Sequence, residues 1–148
     1  MTPDRIEREV LIAAPIERVW AVLTEPALVG IWFGQGVPIE IDLRVGGTMV
    51  LDFGGDKVFP TLIVGVDAPG YFAYRWASPY PGEQATQENS TLVEFTLTSE
   101  DGGTRLALSE SGFSTLVVPA AETYHASYQS HVDGWTAKLA ELVGTAQE

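Results

Sequence analysis

The sequence predicts an α+β domain in which one curved antiparallel sheet closes over a single long helix near the C-terminus. Three observations predict it. Across residues 119–143, Tyr124, Tyr128, His131, Trp135, Leu139 and Leu142 recur at steps of three and four. At 3.6 residues per turn they share one helical stripe. Upstream, segments of period-two hydrophobicity follow one another across short turns rich in Gly and Asp. Such short turns pair neighbouring strands antiparallel, because parallel pairing needs a long crossover. A sheet with one apolar face must bury that face, and the terminal helix is the only element long enough to cover it.

Residues 6–13 read as the first strand, with Ile6, Val10 and Ile12 on one face. Arg8 shares that face, either as a snorkelling side chain or as a charge near a cavity mouth. Pro15 opens a short helix carrying Ile16, Val19, Trp20 and Leu23; Thr24-Glu25-Pro26 ends it and starts a second through Leu28, Ile31 and Trp32. Six further strands are expected, seven in all. In 37–43, Val37, Ile39, Ile41 and Leu43 alternate with Pro38, Glu40 and Asp42. Residues 48–53, 58–66, 71–77, 91–98 and 104–111 follow, with Pro60 marking an edge or a bulge and Asp101-Gly102-Gly103 marking a hairpin. Residues 78–89, with two prolines and almost no aliphatic side chain, read as a long exposed loop. Pro119 suits the first turn of the final helix, where its missing N–H costs nothing.

A chain of 148 residues suits one domain over 1–148, and 45% hydrophobic with 19% charged residues is a globular composition. No apolar run approaches a membrane span of ~18 residues, and no signal-peptide pattern opens the chain. With no cysteine, there is neither a disulfide framework nor a thiol nucleophile, and a cytoplasmic location is expected. The net charge of −12 and eight scattered basic residues argue against nucleic acid and an anionic membrane surface as partners. Phosphate-binding and dinucleotide-binding glycine motifs are missing, and His125 and His131 have no acidic cluster to complete a metal set. Neither cofactor nor metal is expected.

Two side chains stand out. Alternation in 104–111 puts Glu110 on the face of Leu106 and Leu108. An unpartnered carboxylate there would cost more than a domain's net stability of ~5–15 kcal/mol. It therefore needs a partner, a proton, a wet cavity, or a place at the strand end that reaches solvent. His131 lies on the buried stripe of the helix, as a hydrogen-bonded core residue or as a polar group of a pocket. A cavity lined by Phe72, Tyr74, Trp76, Phe95, Tyr128 and Trp135, with Glu110 and His131 meeting inside it, would have the make-up of a small-molecule site. Trp32 and Phe33, at the end of the second short helix, would form its rim or simply pack.

The run Ile12-Ala13-Ala14-Pro15, Val19-Trp20, Leu23-Thr24, Pro26 and Trp32-Phe33 resembles the start of SRPBCC domains with the helix-grip, START-like fold. Leu43-Arg44-Val45-Gly46-Gly47, Thr104-Arg105-Leu106, Glu110-Ser111-Gly112 and Gly134-Trp135 extend the likeness. Within that superfamily the chain looks most like the group named for the activator of the heat-shock-protein-ninety ATPase. The resemblance implies a cavity between sheet and helix that takes hydrophobic small molecules such as lipids, aromatics or polyketides. It also implies two alternatives, a polyketide cyclase or aromatase and a co-chaperone acting through protein contacts; in the first, the pair read from the pattern, Glu110 and His131, would serve as acid and base. A binding domain without catalysis is the leading expectation, and dimerisation is left open.

Overall fold

Period-two patterning becomes a strand where turn chemistry and a pairing partner both support it. The computed structural model describes residues 3–117 and 128–148. Among these, the order is β1 (Arg5–Ile12), α1 (Ile16–Thr24), α2 (Pro26–Phe33), β2 (Thr48–Asp52), β3 (Val58–Asp67), β4 (Tyr71–Trp76), β5 (Thr91–Glu100), β6 (Gly103–Ser111) and α3 (Tyr128–Ala146). The strands form one antiparallel sheet in the order β1-β6-β5-β4-β3-β2. The β5–β6 turn has φ of 50° at Asp101 and 81° at Gly102, the pair of positive values that a two-residue type I′ hairpin requires.

Six strands stand where seven were expected. Residues 37–43 make a single bridge, Ile41 to Met49, and leave Val37 61% and Leu43 41% exposed. Pro38 has no N–H to offer, and the Ile39 N–H goes to the Pro26 carbonyl beneath α2. Alternation there has no second face to bury. Gly30 fixes how closely the segment passes α2, since a Cβ on it would lie 1.8 Å from the Val37 carbonyl oxygen.

Pro60 sits opposite Val50 of β2, in the part of β3 that β4 does not reach, because pairing with β4 begins at Leu62. The bulge lies further on, between Ile63 and Gly65. The Gly82 and Ala85 N–H groups donate to the Val58 and Pro60 carbonyls, so the loop after β4 lies along β3. It is therefore less exposed than its composition suggests: Ala77, Ser78, Pro79 and Ala85 are buried. Arg8 is exposed and reaches back to the Glu7 carbonyl, which settles it as a surface side chain.

The inner face of the sheet and the stripe His131, Trp135, Leu139, Leu142 and Ala146 of α3 are buried with α1 and α2 in one core. Arg18 of α1 donates to the Thr145 and Ala146 carbonyls at 2.9 and 3.4 Å, putting a cation at the negative end of α3. Pro119, Tyr124 and His125 lie outside the described residues. No helix among the described residues is long and apolar enough to cross a membrane.

Candidate active site at the sheet–helix interface

β6 alternates without a break, so Thr104, Leu106, Leu108 and Glu110 are all buried. Register sets Glu110 in an inner row between Ile6 of β1 and Val93 of β5, with Tyr74 of β4 beyond. Thr91 and Trp76, opposite each other on β5 and β4, stand one step along the same face. α3 crosses above with His131 and Trp135 four residues apart, on the same side of the helix.

These elements converge on one carboxylate, which is 0% exposed. Glu110 Oε2 accepts from Thr91 Oγ1 at 2.5 Å and from Trp76 Nε1 at 2.8 Å. Oε1 accepts from Trp135 Nε1 at 2.7 Å. His131 Nδ1 lies 2.9 and 2.8 Å from the two oxygens. Burial pushes the Glu110 carboxyl up. The His131 imidazole beside it and hydrogen bonds from His131, Thr91 and Trp135 outweigh that and hold it below the ordinary glutamate value of 4.5. The group is an anion kept in the core by its donors.

The other ring nitrogen, His131 Nε2, lies 3.1 Å from Ser78 Oγ in the loop after β4. The ring is flanked by Trp76 and Phe113, each with its centroid 5.1 Å away. Nδ1 thus faces the carboxylate and Nε2 faces the Ser78 hydroxyl, so the imidazole links the two. Tyr74 is 1% exposed, and its hydroxyl has no hydrogen-bond partner among the described residues. Burial and the nearby Glu110 charge push this phenol well above its usual 10.0, so it stays protonated.

Beside the pair, a cleft of about 180 Å³ is lined by Phe33, Phe53, Trp76, Ser130, His131, Gly134, Trp135 and Lys138. A groove of about 390 Å³ on the outer face runs among Arg5, Glu7, Arg8, Glu9 and Glu94, far more polar and away from the imidazole. Of the residues expected at a site, Phe33, Trp76, His131 and Trp135 line the cleft, and Glu110 lies behind it. Trp32 is core, with its indole N–H on the Val22 carbonyl at 2.7 Å. Phe72, Tyr74 and Phe95 are also packed in the core and are not among the cleft's lining residues. Tyr128 turns aside, donating to the Arg5 carbonyl and standing edge-on to Phe113. Thr91, Ser78 and Phe53 join the site without being singled out by the sequence. Thr91 and Phe53 carry a usable signal, each falling in step with inward residues of its own strand segment; Ser78 carries none.

The family described as Activator of Hsp90 ATPase homolog 1-like protein matches residues 13–147. No curated protein sequence matches the chain. Among solved structures, protein MLL2253 from Mesorhizobium loti is similar at 23% identity and a TM-score of 0.73, over 95% of each chain. The Aha1 dimer from Colwellia psychrerythraea is similar at 17% identity and a TM-score of 0.74, covering 97% of this chain and 96% of that one. DynU16, a protein in the dynemicin biosynthetic locus, is similar at 22% identity and a TM-score of 0.71, over 96% of this chain and 46% of its own. At these identities the likeness establishes the fold alone.

Proposed function

We propose, from the premise that the chain belongs to the Activator of Hsp90 ATPase homolog 1-like family, that it binds a small aromatic molecule in the cleft between Trp76 and α3. The cleft itself carries this reading. Its walls are the rings of Phe33, Phe53, Trp76 and Trp135, and its polar lining is Ser130, Lys138 and His131, the last backed by an ionised Glu110. Apolar walls with few, fixed polar groups are what small-ligand sites use for affinity and orientation.

Volume narrows the class. Drug-sized ligands occupy pockets of roughly 300–1,000 Å³, whereas an apolar cavity of about 150 Å³ suffices for benzene. A cleft of about 180 Å³ suits one ring with a small polar substituent. A lipid chain or a fused polyketide would need the walls to part.

Gly134 provides the test. It lines the cleft, and a Cβ built on it meets nothing within 4 Å. Gly134→Leu should fill the space without straining the helix, since leucine is the better helix former. Phenol should show saturation transfer in ligand-observed NMR and raise the melting temperature of the parent protein, and Gly134→Leu should abolish both. Phenol that fails to bind the parent, or binds the filled variant equally well, removes this reading.

A further inference from the structure

We infer that Ser78, His131 and Glu110 form a nucleophile–base–carboxylate relay that takes an acyl group from a small aryl ester onto Ser78 Oγ and passes it to water. The inference rests on the cleft being an aromatic site, and it adds a reaction to it.

Three elements distant in sequence supply the relay: the loop after β4, α3 and β6. Ser78 Oγ lies 3.1 Å from His131 Nε2, and His131 Nδ1 lies 2.8 Å from Glu110 Oε2. Both distances fall within the hydrogen-bond reach of roughly 2.6–3.2 Å that an activated nucleophile and its base require. The third group is fixed as such a relay needs. Thr91, Trp76 and Trp135 pin the carboxylate, which in turn sets the ring's tautomer and angle. Trp76 and Phe113 hold the imidazole from its sides. A serine in a loop is thus held against a base that cannot swing away.

The chemistry balances with what is present. Nδ1–H stays on Glu110 while Nε2 takes the Ser78 hydroxyl proton as Oγ attacks the ester carbonyl carbon. The bond from that carbon to the aryl oxygen breaks, and the leaving aryloxide takes the proton from Nε2 and departs as a phenol. Water then attacks the acyl-serine by the same proton path, releasing a carboxylic acid and restoring Ser78. Ser78 is 4% exposed and is not among the cleft's lining residues, so the ester must reach Oγ past His131, with its ring beside Trp76 and Trp135; aryloxide is a ready leaving group.

The probe is 4-nitrophenyl acetate, with intact-mass and peptide mapping of a quenched reaction. Acetyl is expected on Ser78, with nitrophenol release at least ~10-fold above that of Ser78→Ala. A second variant guards against slow acylation. The chain has no cysteine, so Ser78→Cys introduces its single thiol. A free thiol titrates near ~8.5, and one beside this base should react with iodoacetamide along a profile shifted at least about one pH unit lower. Acetyl on Ser78 or that shifted profile supports the relay. An unmodified serine together with an ordinary thiol profile overturns it. Phenol binding by NMR separates the two readings. Phenol bound, with Ser78 unmodified and the thiol profile ordinary, leaves the cleft standing and ends the relay; no phenol binding together with those two negatives ends both.

Discussion

The two halves of α3 lie over opposite kinds of floor. Toward its C-terminus, Leu139, Leu142 and Ala146 join Ile12, Val19 and Leu23 in an aliphatic core. Toward its start, His131 and Trp135 descend onto a buried carboxylate. The first contact depends on apolar area and volume, and it has no required direction. The second depends on direction as well as burial, because a buried charge missing its partners costs several kcal/mol. One half therefore holds the fold together, while the other specifies one arrangement of strands and helix.

The largest expected effect breaks the polar half. Glu110→Ala strands four donors in the core and should cost about 3–5 kcal/mol in urea unfolding at neutral pH. Leu142→Ala, in the apolar half, should cost about 3 kcal/mol through its cavity.

Acid acts on the polar half and not on the apolar one. Glu110 has a folded pKa below its ordinary 4.5, so its stabilisation is complete above that value and is lost as pH falls through the folded pKa. Asp4, held down by Ser114, and Glu100, held down by Arg105, add to the same slope from the surface. Unfolding curves between pH 7 and about pH 3 should therefore show Leu142→Ala keeping the parent's acid slope and Glu110→Gln losing part of it. Equal slopes in all three proteins would mean the carboxylate is not ionised in the fold.

The smallest effect sharpens the picture. Trp76→Phe keeps an aromatic, though smaller, side chain and removes one of the carboxylate's donors, for about 1.5 kcal/mol. A loss as large as that of Glu110→Ala would show that the donors act as a unit.

How much of this contrast is legible in the sequence depends on periodicity. Leu106, Leu108 and Glu110 alternate in step, and His131 recurs on the stripe of Trp135 and Leu139, so the pattern alone marks both members of the pair. Their partners are not all so marked. Thr91 falls in step with Val93 but reads as an ordinary strand residue, and Ser78 sits among prolines where no pattern says what is buried. Convergence itself depends on register, with Trp76 opposite Thr91 and Val93 opposite Glu110, which one strand's pattern does not encode. The same reliance on alternation misleads in 37–43, where Pro38 and the bond from Ile39 to Pro26 divert the backbone from the sheet. The expected aromatic lining divides for a similar reason. Phe72, Tyr74 and Trp76 share a face, yet only the last lies at the end of β4, where the core gives way to the cleft.

The paired indoles on Glu110 have a practical consequence. Trp76 and Trp135, two of the chain's four tryptophans, place their N–H groups on opposite oxygens of one anion. Their emission should therefore respond whenever that anion gains a proton or a guest approaches the rings. The domain carries its own optical reporter, and the state of this carboxylate can be followed without any dye.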